Sequence, residues 1–333
     1  MVCDEAKDLP PELHIPRFQV AGHRFGEVRI KQGKKLRFAG VLSHVDGYIL
    51  KGKQSDSRGK CEHDFFQKVW FSSSSEFTSL RRHVPRFFGI YTHPALPQDT
   101  FLKLEDFTHG CCAPCIADLK CGAFSNCPDC TDEEVLNRRM LNTSNLSSVG
   151  VYICGMSIYD SDLGALRSVA LGKNVTKPEL LTSLSNYLEP LPSNMARIFV
   201  IDEFLKKLQE IINDVLLISP IAIFGSSVLI IYDLGRSAAS QSTSCDLVSP
   251  LILDSDKNQT SIIHVPDTKM LPVFTNDLEK QSDFNFYIQL KLIDFAHTCT
   301  HPSGSSSLLF GLNSLINYLK EIKQMCFSQL ILN

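Results

Sequence analysis

The chain has 333 residues, of which 44% are hydrophobic, and this is enough apolar sequence to bury one large core or the cores of two lobes. Its formal net charge of −3 excludes the strongly positive field on which a general nucleic-acid-binding protein depends, so we expect no nucleic-acid partner.

The first residues, MVCDEAKDLPPEL, are acidic and contain proline, so they lack the basic start and apolar run of a secretory signal. We therefore expect an intracellular protein. In a long chain without such a signal, the 12 cysteines are expected to be reduced thiols rather than disulfides.

The N-terminal third is predicted to be an antiparallel β-rich lobe. Between Val20 and Leu104, short apolar runs alternate with glycine and polar turns, and VDG before YILK is typical of a hairpin turn. One helix is predicted over CEHDFFQKVWF, residues 61–71, because its apolar residues have helical spacing.

Helices dominate from Glu105 onward. Thr131 and Glu134 have capping-box spacing, which predicts a helix start at Thr131. An apolar stripe in IDEFLKKLQEIIND, residues 201–214, predicts a helix packed on a core. Two strands, SSVLIIYD (226–233) and FNFYIQLKLID (284–294), and a closing helix over residues 307–325 follow.

Two segments of this half need separate interpretation. Val215–Tyr232 is long enough to be mistaken for a membrane span, but Pro220 and Gly225 divide it, which favours two buried pieces separated by a turn. Residues 234–282 are polar and show no clear period, so we interpret them as a flexible insertion.

The usual phosphate-binding motifs are missing from the sequence. It contains no G-x-x-x-x-G-K-[ST], no G-x-G-x-x-G and no H-R-D, which disfavours a P-loop enzyme and an ordinary protein kinase. The absence of these motifs does not exclude ATP.

Candidate catalytic side chains occur on one predicted strand and at the end of another. Asp118 and Lys120 in IADLKCG are two residues apart, so they project from one face of a strand, either as chemical partners or as a surface ion pair. Asp294 ends an alternating strand and is a candidate Mg²⁺ ligand, and His297 follows it as a candidate anion contact. The alternative for Asp294 and for His297 is an ordinary polar residue whose hydrogen bonds are satisfied within the fold.

Four cysteines in the middle of the chain raise the question of a metal. Cys112, Cys115, Cys127 and Cys130 have the spacing C-x2-C-x11-C-x2-C, which is close to that of zinc ribbons. The alternative is a set of free thiols, and it is favoured once the family resemblance below places Cys115 inside a strand.

Taken in order, six segments resemble the inositol polyphosphate kinase family: QVAGH, DGYILK, LKLEDFTH, PCIADLKCG, GSSVLIIYD and KLIDFAHT. The signature P-x-x-x-D-x-K-x-G is formed by Pro114, Asp118, Lys120 and Gly122. QVAGH, VPRFFGIYTHP and PCI are most similar to the multikinase branch of that family. The resemblance runs from about Phe18 to Leu319 and is weakest at 123–149 and in the insertion.

The resemblance implies an α+β, two-lobed, kinase-like fold. Residues 1–104 would form an antiparallel β lobe and residues 105–333 a larger α/β lobe, with a hinge near Leu104 and ATP bound between the lobes.

Roles for individual residues follow from the resemblance alone. On the nucleotide side it implies phosphate contacts by Lys51, an orienting partner in Glu62, adenine contacts by the backbone of Glu105 and Phe107, Mg²⁺ binding by Asp294, and a floor residue in Ser227. On the acceptor side it implies that Asp118 orients the attacking hydroxyl and that Lys120 bridges the γ-phosphate and the substrate. Substrate phosphates would be bound by Arg58, Arg138, Arg139 and His297.

The expected function is ATP-dependent phosphorylation of inositol tris- and tetrakisphosphates. One alternative is a kinase that makes pyrophosphates from the hexakisphosphate, because that branch shares the signature and IDFAHT. The other is a binding or scaffold protein that keeps the fold, because two family cations are replaced here by Glu134 and Ser157. Phosphoinositide head groups are a further candidate substrate, without stable membrane insertion. The family resemblance implies the cytoplasm, the nucleus or both.

Overall fold

The computed structural model describes residues 9–31, 34–124, 146–160, 165–169, 175–237, 261–264 and 284–332. They form an α+β fold of two lobes, each built on an antiparallel sheet. This is the two-lobed architecture that the family resemblance implies, and the prediction of the fold class is confirmed.

The smaller sheet belongs to the N-terminal lobe. Its strands are β1 (Leu13–His14), β4 (Val41–His44), β5 (Tyr48–Gly52), β6 (Phe87–Tyr91) and β7 (Phe101–Glu105), arranged in the order β1-β4-β5-β7-β6. The predicted hairpin turn joins β4 to β5, and Gly47 supplies its positive φ of 80°. A separate two-stranded hairpin is formed by β2 (Val28–Lys31) and β3 (Lys34–Arg37).

Helix α1 (Ser57–Phe71) lies between β5 and β6 in the chain and confirms the predicted helix. It begins four residues earlier than predicted, because Asp56 caps it by accepting a hydrogen bond from the Arg58 amide. Glu62, Phe65, Phe66 and Val69 form its buried face. The sequence pattern missed α2 (Ser75–Leu80) and the 3-10 turn that follows at residues 81–83, since both are too short to show a period.

The larger sheet has six antiparallel strands, and its members are β8 (Pro114–Cys121), β9 (Val151–Asp160), β10 (Ala165–Val169), β12 (Ser227–Ser237), β13 (Ser261–His264) and β14 (Phe286–Ile293). Their order is β13-β10-β9-β8-β12-β14, which places β8 in the interior of the sheet. Strands β11 (Ile221–Phe224) and β15 (His297–Thr300) form a small sheet beside it.

Helices of the C-terminal lobe cover this sheet. They are α3 (Leu146–Val149), α4 (Lys177–Leu188), α5 (Asn194–Leu217) and α6 (Ser306–Leu332). The predicted stripe of α5 is buried at Phe204, Leu208 and Ile211, as expected for a helix packed on a core. Helix α6 approaches β8 so closely that a Cβ added at Gly311 would lie 2.1 Å from the amide nitrogen of Gly122.

The apolar segment Val215–Tyr232 divides as predicted into the end of α5, strand β11 and the start of β12. Within the described parts of the chain, no helix combines the length and apolar character needed to cross a bilayer.

The predicted insertion at 234–282 lies mostly outside the described residues. The part that is described corrects the prediction, because β12 extends to Ser237 and residues 261–264 form a strand that pairs with β10. This strand, SIIH, is too short to be recognised from its pattern.

Candidate active site

A cavity lies between the two sheets, with an empty volume of about 1000 Å³ including its mouth. Its walls come from both lobes. They are formed by Ile49 and Lys51 of β5, Glu62 and Phe66 of α1, the segment 105–108, Ile116 and Asp118 of β8, Leu229 of β12, Ile293 at the end of β14, and Asp294 directly after it.

The segment Gln19–Gly22 forms one wall of the cavity, which we call the roof. The Gln19 side chain shapes it by donating hydrogen bonds to the carbonyls of Ala21 and His23, at 3.1 and 3.0 Å. The roof lies against β9 at Gly155, where an added Cβ would be 1.8 Å from the carbonyl oxygen of Val20. In the sequence QVAGH supported only the family resemblance, and no pattern predicted that it contacts the cavity.

Three charged side chains meet at the back of the cavity. The Lys51 Nζ donates to Glu62 Oε1 at 2.7 Å and to Asp294 Oδ1 at 2.6 Å, so one ammonium is held by two carboxylates from distant parts of the chain. Glu62 Oε1 also accepts from the Phe295 amide at 3.2 Å. Burial alone would lower the pKa of Lys51, but Asp294 and Glu62 outweigh it and raise that pKa.

Asp294 has a backbone conformation that non-glycine residues rarely adopt. Its φ is 65°, the one positive value at a non-glycine residue in the described chain. Such conformations cost free energy and occur at functional sites. Burial opposes ionisation of Asp294, yet Lys51 and Lys120 lower its pKa to about 2.

Asp118 and Lys120 lie side by side on β8, as their spacing predicted. The Lys120 Nζ donates to the Gly225 carbonyl at 2.7 Å and lies 3.9 Å from Asp294 Oδ2. Both lysines therefore approach the same carboxylate, that of Asp294.

Asp118 is buried in a different electrostatic environment. Burial and the nearby charge of Asp294 raise the pKa of Asp118 to about 6, although Lys120 opposes the shift. The side chains of Ser227 and Cys154 lie close enough to Asp118 to oppose the shift as well. In the described part of the chain, however, neither Asp118 Oδ1 nor the Ser227 hydroxyl makes a hydrogen bond of good geometry. Ser227 pairs with Lys120 in the sheet and lies behind the cavity floor rather than in its lining.

Glu105 and Phe107 lie where the chain passes between the lobes and line the cavity. The Glu105 amide donates to the Arg86 carbonyl at 2.9 Å, and the Phe107 carbonyl accepts from the Tyr287 hydroxyl at 2.9 Å. A bound base would therefore have to meet the carbonyl of Glu105 and the amide of Phe107.

The predicted substrate contacts are not all brought to the cavity. Arg58 is on the first turn of α1, where its guanidinium contacts Asp56 Oδ2 at 2.6 Å. His297 begins β15 and is close enough to Asp294 to lower the pKa of that carboxyl. Ser157 is buried on β9 beside Ile116 of the cavity wall. Arg138, Arg139 and Glu134 lie outside the described residues.

Two of the four cysteines with zinc-like spacing are described, and neither is placed as a zinc ligand. Cys115 is fully buried in β8, where its sulfur accepts from the Tyr159 amide at 3.3 Å and burial raises its pKa to about 12. Cys112 is disulfide-bonded, unlike the free cysteines expected from the sequence. Cys127 and Cys130 lie outside the described residues, and the described ones contain no group of three metal-ligating side chains.

Comparison with known proteins identifies the family to which the chain is similar. A family model described as inositol polyphosphate kinase matches residues 101–320. The inositol polyphosphate multikinase of Mus musculus is 31% identical over 193 residues, which cover 54% of this chain and 46% of the mouse protein. The matched region thus spans about half the length of that relative. The inositol polyphosphate multikinase alpha of Arabidopsis thaliana is 28% identical over 325 residues, covering 94% of this chain and 97% of that protein.

A solved structure supports the fold independently. The inositol phosphate multikinase of S. cerevisiae, in complex with ADP and Mn²⁺, matches with a TM-score of 0.54 at 19% sequence identity. The match covers 82% of this chain and 98% of the yeast chain. At this identity the likeness establishes the fold alone.

Proposed function

Because the chain belongs to the inositol polyphosphate kinase family, we propose that it transfers the γ-phosphate of ATP to a hydroxyl of an inositol polyphosphate. The observation that carries the proposal is the contact of Lys51 with Asp294, at 2.6 Å, in a cavity that Asp118 also lines. Lys120 lies beside Asp118 on β8, with its Nζ 3.9 Å from Asp294 Oδ2. Phosphoryl transfer depends mainly on positioning and on neutralising spread negative charge, and these side chains provide both.

On the nucleotide side, Lys51 would exchange part of its contact with Asp294 for the phosphates of ATP, while Glu62 keeps the ammonium in place. The Glu105 carbonyl and the Phe107 amide would bind the adenine edge. Residues 1–104 and 105–333 would act as the two lobes that close on ATP, with the hinge near Leu104.

The oxygen donors at the back of the cavity fit a divalent cation. Asp294 is ionised and Asp118 Oδ1 has no hydrogen-bond partner in the described chain, and Mg²⁺ prefers carboxylate oxygens. Asp294 would hold Mg²⁺, which when bound would neutralise charge on the phosphates. The complex of the yeast multikinase with ADP and Mn²⁺ supports a divalent metal, and Mg²⁺ is our proposal for this chain.

On the acceptor side, Asp118 would orient the attacking hydroxyl and accept its proton. A pKa of about 6 keeps the carboxylate mostly ionised at neutral pH and makes it a better base than an ordinary aspartate. Lys120 would turn from the Gly225 carbonyl to the transferring phosphoryl group. Arg58, His297, Arg138 and Arg139 stay our candidates for the substrate phosphates.

We infer the tris- and tetrakisphosphates as substrates, from the similarity to multikinases. The test is ATP turnover on inositol phosphates from tris- to hexakisphosphate, with the products separated by chromatography. Asp294→Asn is the test variant and is expected to lose at least about 100-fold in kcat. Asp202→Asn is the matched control, because Asp202 contacts Lys323 far from the cavity.

Each outcome of the panel has a distinct meaning. Product from the tris- and tetrakisphosphates, lost in Asp294→Asn and kept in Asp202→Asn, supports the proposal. Pyrophosphate product from the hexakisphosphate alone would move the protein to the other branch of the family. No product from any of them, with ATP binding retained, would favour a binding protein that keeps the kinase fold.

A further inference from the structure

The hairpin of β2 and β3, which we call the basic hairpin, is a two-stranded sheet separate from the five-stranded sheet of its lobe. Backbone bonds close its base: the Gly26 amide donates to the Phe38 carbonyl at 3.1 Å, and the Phe38 amide donates to the Glu27 carbonyl at 2.9 Å. These bonds lie within the hairpin, and the Arg37 guanidinium joins it to the rest of the lobe by pairing with Asp99 at 2.7 Å.

Apolar side chains are exposed on both faces of the basic hairpin. Ile30 is 74% exposed, Val28 49% and Leu36 40%. The register pairs Ile30 with Lys35 and Arg29 with Leu36, so Ile30 and Leu36 lie on opposite faces. A protein partner that offers a strand or a groove would cover one face of the hairpin. Insertion between the headgroups of a lipid layer would bury both faces.

The strands and turn of the basic hairpin carry charge of one sign only. Residues 28–37 contain five basic residues and no acidic one, in a chain whose net charge is −3. Arg37 contacts Asp99 at 2.7 Å and Arg29 contacts Glu27 at 2.5 Å, whereas the side chain of Lys35 is exposed to a ligand. The segment has no aromatic residue for stacking on bases, which disfavours nucleic acid.

We propose that the basic hairpin docks this protein on an anionic lipid surface. Ile30, Val28 and Leu36 enter the headgroup layer, and Lys35 contacts a lipid phosphate with its ammonium. The base of the hairpin is close to the cavity roof, because the Phe38 ring stacks on His23 at 3.6 Å and Gly22 lines the cavity. Docking therefore brings the lipid surface beside the roof.

Vesicle sedimentation tests the proposal. The full chain is mixed with vesicles of phosphatidylcholine alone or of phosphatidylcholine with phosphatidylserine, without nucleotide. We expect binding only to the anionic vesicles, weakened by added salt. Ile30→Ser should lower the partition coefficient about tenfold, and Lys35→Gln about fivefold.

The matched control is Ile331→Ser, because Ile331 is 84% exposed but lies at the end of α6. It should bind anionic vesicles like the wild type. Equal binding by the wild type and Ile30→Ser would overturn the proposal, as would a wild type that stays in solution with the anionic vesicles, in which case a protein is the better candidate partner.

The docking proposal and the proposed function can be refuted independently of each other. Binding needs no turnover, and Ile30 and Lys35 do not line the cavity, so both variants should phosphorylate soluble inositol phosphates at the wild-type rate. An active enzyme that ignores anionic vesicles refutes docking alone. An inactive protein that binds them refutes only the proposed function.

Discussion

Replacing Asp118 by Asn is predicted to make the free protein more stable at neutral pH while removing its activity. Asp118 is only 5% exposed and its Oδ1 has no hydrogen-bond partner in the described chain. Ionising such a carboxyl costs free energy, because burial and the neighbouring charge of Asp294 both oppose it. Asn has the same shape and no charge.

The size of the effect follows from the pKa of Asp118. It is about 6 in the folded protein and 3.8 in the unfolded chain, so the folded state binds more protons between these values. The contribution of Asp118 to the stability of the wild type therefore falls as the pH rises from 4 to 6, by about 3 kcal/mol at 1.36 kcal/mol per pKa unit. Below the unfolded pKa the penalty is absent, and above the folded pKa it is complete.

Urea unfolding of the two proteins between pH 4 and 8 measures this difference, with EDTA present and nucleotide absent. The chain has a single tryptophan, Trp70, which packs against the hydrophobic core shared by both lobes, so its fluorescence reports unfolding of the part that contains Asp118. The free energy of unfolding of Asp118→Asn minus that of the wild type should rise with pH and level off above pH 6 to 7.

The two proteins are compared by how the free energy of unfolding changes with pH. Any difference in stability between an amide and a protonated acid that does not depend on pH therefore cancels. Asp294→Asn is the control with the opposite sign, because the pKa of Asp294 is lowered and its charge stabilises the fold above the unfolded pKa. Asn also tolerates the positive φ at this position. Parallel profiles of Asp118→Asn and the wild type would refute the reasoning.

Three further substitutions test other contacts. Lys51→Met should lower kcat at least about 100-fold and reduce the unfolding free energy by about 3 kcal/mol because it removes the ammonium that pairs with Glu62 and Asp294; an unchanged kcat would contradict the phosphate role. Gly155→Ala should push the roof from β9 at Val20 and weaken ATP binding about tenfold in calorimetry, and unchanged affinity would contradict that. Tyr187→Phe removes bonds to the Cys115 and Ile230 carbonyls and should cost about 1 to 3 kcal/mol in urea unfolding; a loss below that range would contradict it.

The regular elements were predictable from the sequence where they are long and periodic. The stripe of α5 and the alternation of β14 gave the right structure, because a buried face repeats over many residues. The strand at 261–264 and α2 were missed, since four to six residues do not establish a period. The start of α1 was misplaced because the capping contact of Asp56 was not considered.

The site was predictable only in part. The adjacency of Asp118 and Lys120 follows from strand geometry alone. The contact of Lys51 with Asp294 joins residues 243 apart in the chain, and no local pattern encodes it. The resemblance suggested both residues but not their distance. The positive φ of Asp294 and the crossing of the roof over Gly155 depend on tertiary contacts and appear only in the folded chain.

Two neighbouring carboxylates in this cavity have pKa values that are moved in opposite directions, and the cause is the placement of the lysines. Lys51 and Lys120 both approach Asp294, which keeps it ionised and suited to hold a cation. Asp118 is buried beside that charge, which raises its pKa toward neutrality. Where environments separate the pKa values of paired acids, the higher one is suited to proton transfer. A cation held by Asp294 would offset its charge and lower the pKa of Asp118. Metal binding would therefore increase the ionised fraction of Asp118 at neutral pH, so the two are coupled in this site.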